Sequence, residues 1–187
     1  MQTFLPSISF EQSAKWLDNA RLGKQRVECL QILKALTDSD YGWQNHPAVK
    51  MWRGHEIALG FYGIDICNEW MNRGYKDSCL DKIIELTEQF TTIPFNNILT
   101  PPWLTEDFAS NHRGILLGKA WEPHYKANDD LINATNEIEA IKANKRINKT
   151  HKVIDWYQSH GWTEQPAQRV IINGKLRWPY RWPEMET

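Results

Sequence analysis

Asp18, Arg21, Gln25 and Glu28 follow one another at steps of three, four and three in the stretch DNARLGKQRVE. On an α-helix that spacing sets two carboxylates, a guanidinium and an amide in one row. Lys24 borders it. A carboxylate there could move a proton or hold a cation. Arg21 and Arg26 could clamp phosphates with paired hydrogen bonds. Lys24, or the α-amine of Met1, could attack an electrophilic carbon. α-Amines as a class are weak enough bases that a usable fraction is unprotonated near neutrality. The same side chains also make good helix ion pairs, Asp18 with Arg21 and Lys24 with Glu28. The row therefore reads either as a working surface or as a self-paired set of ions.

Other chemistry is sparse. His46 stands before Pro47 and could be a helix cap, a core contact or a site residue. His112 and Arg113, in SNHRG, could touch phosphate or form a surface pair. The three cysteines, Cys29, Cys67 and Cys79, show no CxxC or Cys/His ligand spacing. HEIAL at 55–59 lacks the second histidine of a zinc protease, and no Gly-rich phosphate loop or serine-hydrolase signature occurs. No metal or other cofactor is expected, and the cysteines read as reduced, buried thiols of a cytoplasmic protein. No apolar run approaches the ~20 residues of a membrane span, and MQTFLPSISF is not built as a signal peptide.

A formal charge of −1 conceals an asymmetry. Residues 142–181 hold nine Lys/Arg against two Asp/Glu, whereas residues 81–141 hold ten acids against four bases. The basic stretch also carries Trp156, Tyr157, Trp162, Trp178, Tyr180 and Trp182. Cations interleaved with aromatics suit phosphates and unstacked bases. An ordinary solvated helix followed by a packed aromatic tail would have the same composition.

These residues need a scaffold, and hydrophobic periodicity supplies one. Ser9 and Gln12 look like a capping box opening a helix that runs to about Leu36, with Gly23 inside it. A turn-rich loop leads to Pro47, the first position of a second helix reaching about Arg73, which Gly74 ends. A third helix spans roughly 78–90, an irregular proline-rich segment 92–103, and a short fourth helix 105–118. Residues 129–160 read helical again. RVII-NG-KLRW is a strong hairpin signal with Asn173-Gly174 as its turn. The fold class is all-α: a compact bundle of three to four main helices, an added helical segment and a short C-terminal β-hairpin. The expected domains are 1–126 and a basic, aromatic-rich extension, 127–187.

MQTFLP, LDNARLGKQRVE, YGWQNHPAVKMWRG, NEWMNRGY and SNHRGILLGK together resemble a group of small helical proteins, itself similar to the pyrimidine dimer DNA glycosylases of the phage endonuclease V type. The resemblance covers about residues 1–126 and the closing WPYRWP. It implies a compact helical domain with the N-terminus lodged among the helices. It also implies cleavage of an N-glycosidic bond in DNA. In those enzymes the α-amine attacks C1′ of the deoxyribose and forms a Schiff base, a glutamate on the first long helix assists, and a base is flipped out of the duplex. Arg21 and Arg26 match the two arginines of the family's first-helix motif if one residue is inserted between them. His46 falls near a histidine that precedes the family's central helix. Leu22 stands where the family glutamate would be, so Glu28 or Asp18 would substitute. Gln2 is too large for efficient removal of Met1, which leaves the amine on Met1 where the family exposes a small residue.

The expected activity is that of a DNA glycosylase, with AP-lyase capacity, acting on a damaged or modified base in duplex DNA. Its catalytic candidates are Met1, Arg21, Lys24, Gln25, Glu28 and His46. The nucleic-acid-binding candidates are Arg26, Arg53, His112, Arg113, Arg177, Trp178, Tyr180 and Arg181. A monomer with no membrane association is expected. The alternatives are a non-catalytic nucleic-acid-binding module, or an enzyme acting on free nucleotides or nucleosides.

Overall fold

Ser9 accepts a hydrogen bond from the backbone N–H of Gln12 and opens a seven-residue helix, α1 (Phe10–Trp16). The computed structural model, which describes residues 1–90 and 100–183, then departs from the sequence expectation of one helix to Leu36. Leu17 turns to extended backbone and is fully buried. Asp18 is extended too, and its carboxylate accepts from the N–H groups of Ala20 and Arg21. An aspartate in that place satisfies the orphan donors of a new helix, so α2 (Asn19–Thr37) starts afresh. The break turns the row of polar residues into the first turns of its own helix.

The expected second helix is also two. His46 caps α3 (Pro47–Trp52), and Gly54, at φ +82°, makes the corner before α4 (Glu56–Asn72). Only glycine takes that left-handed corner without strain. Next comes α5 (Leu80–Glu88), followed by α6 (Glu106–Ile132), α7 (Glu137–Gln158) and the hairpin β1 (Val170–Ile172) and β2 (Lys175–Arg177). The hairpin follows the sequence reading. Ile171 pairs with Leu176, and Asn173 and Gly174 both take positive φ, as a type I′ turn requires. All-α architecture with a short C-terminal hairpin is thus the fold. Of the irregular segment expected at 92–103, residues 92–99 lie outside the described residues.

α6 runs well past Gly118, the expected stop. That glycine is inside the helix because a Cβ there would collide with the Ala167 carbonyl and the Trp178 ring. It marks a close approach, not a terminus.

The chain divides into two compact units, one of Met1–Ala109 with the closing residues from Arg181, the other Ser110–Tyr180. The division falls within α6. In the first unit, α4 packs against α1, α2 and α5. Leu5, Leu22, Ile32, Leu33, Trp52, Leu59, Tyr62 and Ile66 are fully buried there. Gly60 and Gly63 face α5, where Thr87 and Ile83 come close enough to leave little or no room for a Cβ. In the second unit Ile115, Leu116, Ala143, Ile154 and Tyr157 form the core. Asp130–Arg146 and His124–Thr150 contacts join α6 to α7.

Candidate active site

Gln25 is the centre of the first unit's polar interior and is fully buried. Its Nε2 donates to the Gln2 carbonyl at 2.8 Å and to Glu28 Oε2 at 2.8 Å. Its Oε1 accepts from the Phe4 N–H at 2.9 Å and lies 3.0 Å from the Tyr62 hydroxyl, whose single hydrogen it shares with the Phe4 carbonyl. Both donors and two acceptor positions of one amide are therefore used. The amide holds the N-terminal segment by the backbone of Gln2 and Phe4. It also keeps Gln2's carbonyl and Glu28's carboxylate no farther apart than two 2.8 Å bonds allow.

Other buried side chains complete this clamp. The Tyr62 hydroxyl donates to the Phe4 carbonyl at 2.6 Å, and Trp52 Nε1 donates to Thr3 Oγ1 at 3.0 Å. Trp52 and Tyr62 stack, with Phe10 edge-on to Tyr62. The N-terminus is thus lodged among helices α2, α3 and α4. Tyr62, Trp52 and Thr3 were not among the site residues expected from the sequence. The available signal was chemical: a tyrosine or tryptophan on a buried helix face needs a polar partner for its O–H or N–H.

The polar row faces inward. Asp18, Gln25 and Glu28 are buried and Arg21 is half-buried, its Nη1 2.6 Å from Asp18 Oδ2. Lys24 is exposed, with Nζ 3.5 Å from Glu28 Oε1. The helix ion pairs anticipated from spacing both form. Glu28 also accepts from Gln25, whose amide holds the N-terminal segment, a link that helix spacing alone does not require.

His46 joins the same region. Its Nδ1 accepts from the Ala48 N–H at 3.1 Å, so in the neutral ring the proton sits on Nε2. Burial holds the imidazole below its ordinary pKa, and the positive charge of the terminal amine pushes it the same way. Trp43 lies edge-on to His46 with ring centroids 5.8 Å apart, 65% exposed and at φ +77°. A bulky residue held in that backbone region is uncommon. Direct contacts thus join Gln25, Glu28, Lys24 and the Gln2 backbone, with Arg21 one helical turn from Gln25.

The expected nucleic-acid contacts are placed differently. Arg26 is mostly buried, its Nη1 2.5 Å from Asp77 Oδ2 and its guanidinium over the Trp70 ring. Asp77 in turn accepts from the N–H groups of Cys79 and Leu80, and these bonds with Arg26 keep its carboxyl below the usual range despite burial. Arg26, expected from the sequence at phosphate, therefore ties α2 to the start of α5. Arg53 is exposed and donates to the Gln44 carbonyl.

In the second unit His112 is fully buried, and Arg113 is buried with Nη2 2.6 Å from Glu164. Neither is at the surface to meet a phosphate, and both act in packing. Tyr180 lies edge-on to His112. Arg177 is exposed, and Trp178 has Lys119 and Arg169 over its ring. Arg181, in the first unit, pairs with Asp107. Among the described residues no group of three or more His, Cys, Asp or Glu is placed to hold a metal ion. All three cysteines are free and buried. No described helix is long and apolar enough to cross a membrane.

With this geometry in view, the comparison with known families is direct. Residues 1–83 match the model of the pyrimidine dimer DNA glycosylase family. The match spans the N-terminal segment, α1 to α4 and the start of α5, which contain the whole clamp around Gln25. It bears out the resemblance read from the sequence over those residues, whereas residues 84–126 lie beyond the match. No curated protein and no solved structure matches the chain. The family match supports a pyrimidine dimer DNA glycosylase-like function in general and DNA as the partner.

Proposed function

We propose that this protein is a DNA glycosylase that removes a damaged or modified base through the α-amine of Met1, with Glu28 as the assisting acid. The observation that carries the reading is the Gln25 amide, which bonds Gln2 and Glu28 with the two hydrogens of one nitrogen. An internal helix carboxylate and the second peptide of the chain are held together by a fully buried, fully bonded amide. A purely structural N-terminal segment could be held by its own backbone bonds.

The reaction would begin with the neutral amine attacking C1′ of the deoxyribose. The N–C1′ bond forms as the bond from C1′ to the base breaks. The electron pair leaves with the base, which takes up a proton. Glu28 takes a proton from the attached amine and passes it to O4′ as the C1′–O4′ bond breaks, which gives an iminium and returns the Glu28 carboxylate to face that cation. Hydrolysis of the iminium returns the amine, and β-elimination before hydrolysis breaks the DNA strand. Lys24 and Arg21 supply positive charge for the flanking phosphates. His46 offers an Nε2–H donor, and the exposed Trp43 offers a ring face to an unstacked base.

Leu22 supports this assignment of the acid. It occupies the family's glutamate position but is fully buried, where an ionised carboxylate would be strongly disfavoured. Glu28 lies nearly two turns further along the same helix and is the carboxylate that Gln25 links to the N-terminal segment.

The test is release of base and formation of abasic sites across a panel of duplexes, each carrying one modified or damaged pyrimidine or purine. Glu28→Gln keeps an acceptor for Gln25 but loses the charge, and should lower kcat by about 10²–10⁴ while leaving the fold intact. No abasic product on any duplex would overturn the reading.

A further inference from the structure

The basic excess of the C-terminal region is concentrated on one side of α7. Ala143, Ile147, Ile154 and Tyr157 turn inward in the second unit, buried or half-buried. At ~100° per residue the opposite side carries Ile138, Ile141, Lys142, Lys145, Asn148, Lys149, Lys152 and Trp156. All of these are exposed. None of the four lysines is in an ion pair among the described residues, and no acid shares their side. Glu137 and Glu139 sit in the first turn, and Asp155 lies on the flank against His151. The one arginine of this segment, Arg146, points away from the lysines' centre line and is engaged with Asp130.

A solvated helix face normally interleaves both signs, because i,i+4 pairs of opposite charge stabilise it and like charges at that spacing do not. Lys145 and Lys149 stand at i,i+4, and Lys142, Lys145, Lys149 and Lys152 run in one band. Such a face is destabilised in isolation and stabilised by a polyanion. From Lys142 to Lys152 the helix rises about 15 Å, which along a duplex spans roughly four phosphates of one strand.

We propose that the outer face of α7 binds the phosphate backbone of duplex DNA independently of sequence. It acts as an electrostatic anchor outside the region that matches the glycosylase family. The inference rests on the DNA reading above but concerns a different surface, and its failure is separable from the failure of that reading.

The experiment is fluorescence anisotropy of the full chain on an undamaged duplex of about 20 base pairs, titrated over a range of KCl concentrations. The wild type is compared with K142Q/K145Q/K149Q/K152Q. Glutamine has nearly the helix propensity of lysine, so the helix should persist, which far-UV circular dichroism checks. The expected result is a log–log salt slope shallower by about 3 to 4 in the variant, at ~0.9 for each phosphate no longer neutralised, and affinity at least about tenfold weaker at roughly 50 mM salt. Should the quadruple variant lose helix, K145Q/K149Q is read the same way, with a slope shallower by about 2. Duplex binding with an unchanged slope would overturn the anchor and leave the glycosylase reading standing. A wild type that ignores the duplex but binds vesicles of anionic phospholipid would overturn it in favour of a lipid surface. A wild type that binds neither would overturn it outright.

Discussion

Gln25 organises the candidate site because one buried amide there satisfies four partners. Replacing it with leucine keeps the volume but strands the Phe4 N–H and the Gln2 carbonyl, two backbone groups without water. Each unsatisfied buried group costs about 1–3 kcal/mol, so Gln25→Leu should lower unfolding free energy by about 2–5 kcal/mol in urea titrations. It should also abolish base release at temperatures where the fold survives. An unfolding free energy within about 0.5 kcal/mol of wild type would mean the N-terminal segment is held by other contacts. The row was legible in the sequence from its spacing, and so were its two ion pairs. The inward direction of the row was not, because helix spacing fixes which residues share a face but not what covers that face. The same gap explains Arg26. Its place in the row's neighbourhood suggested phosphate, whereas Asp77 and Trp70, some fifty residues downstream, claim its guanidinium.

At the scale of elements, hydrophobic periodicity located most of the helix but left out residues 119–128 of α6 and hid three breaks, at 17–18, 53–55 and 133–136. Leu17 and Asp18 both fit a continuing helix, and only the cap geometry of Asp18 divides α1 from α2. Glycines misled in the other direction. Gly118 looks like a stop and is a contact, and Gly60 is a contact that carries no stop signal at all. Gly60 sits where α4 meets α5, and a Cβ there would overlap the Thr87 side chain. An exposed helix would gain about 1 kcal/mol from Gly→Ala. Overpacking works against that gain and typically costs about 1–3 kcal/mol. The overlap involves three Thr87 atoms, so overpacking should win. Gly60→Ala should lower the melting temperature, and Thr87→Ala in the same chain should recover part of the loss. A rise in melting temperature for Gly60→Ala alone would show that α5 shifts freely.

At the scale of the whole molecule, a share of the acid sensitivity should trace to His112. Burial pushes the His112 imidazole down to about 3. Between that value and the ~6.5 of an unfolded chain, only the unfolded state binds the proton. Stability is therefore fully present above about pH 6.5 and falls as pH drops through that window, by up to ~1.4 kcal/mol per unit. His112→Gln should flatten this dependence between about pH 6.5 and pH 5 relative to wild type, whatever its stability at neutral pH. Parallel curves would contradict a neutral buried ring. The sequence left His112 open as a phosphate contact or as part of a surface pair with Arg113. Burial of that turn depends on residues such as Tyr180, far along the chain. The central claim, however, is that the first residue does the chemistry, and reductive trapping addresses it most directly. Borohydride added during turnover of a cleavable duplex should fix a covalent protein–DNA adduct whose attachment maps by mass spectrometry to the α-nitrogen of Met1. Glu28→Gln should weaken that adduct. An adduct on Lys24 or another lysine, or base release with nothing trapped, would contradict the account.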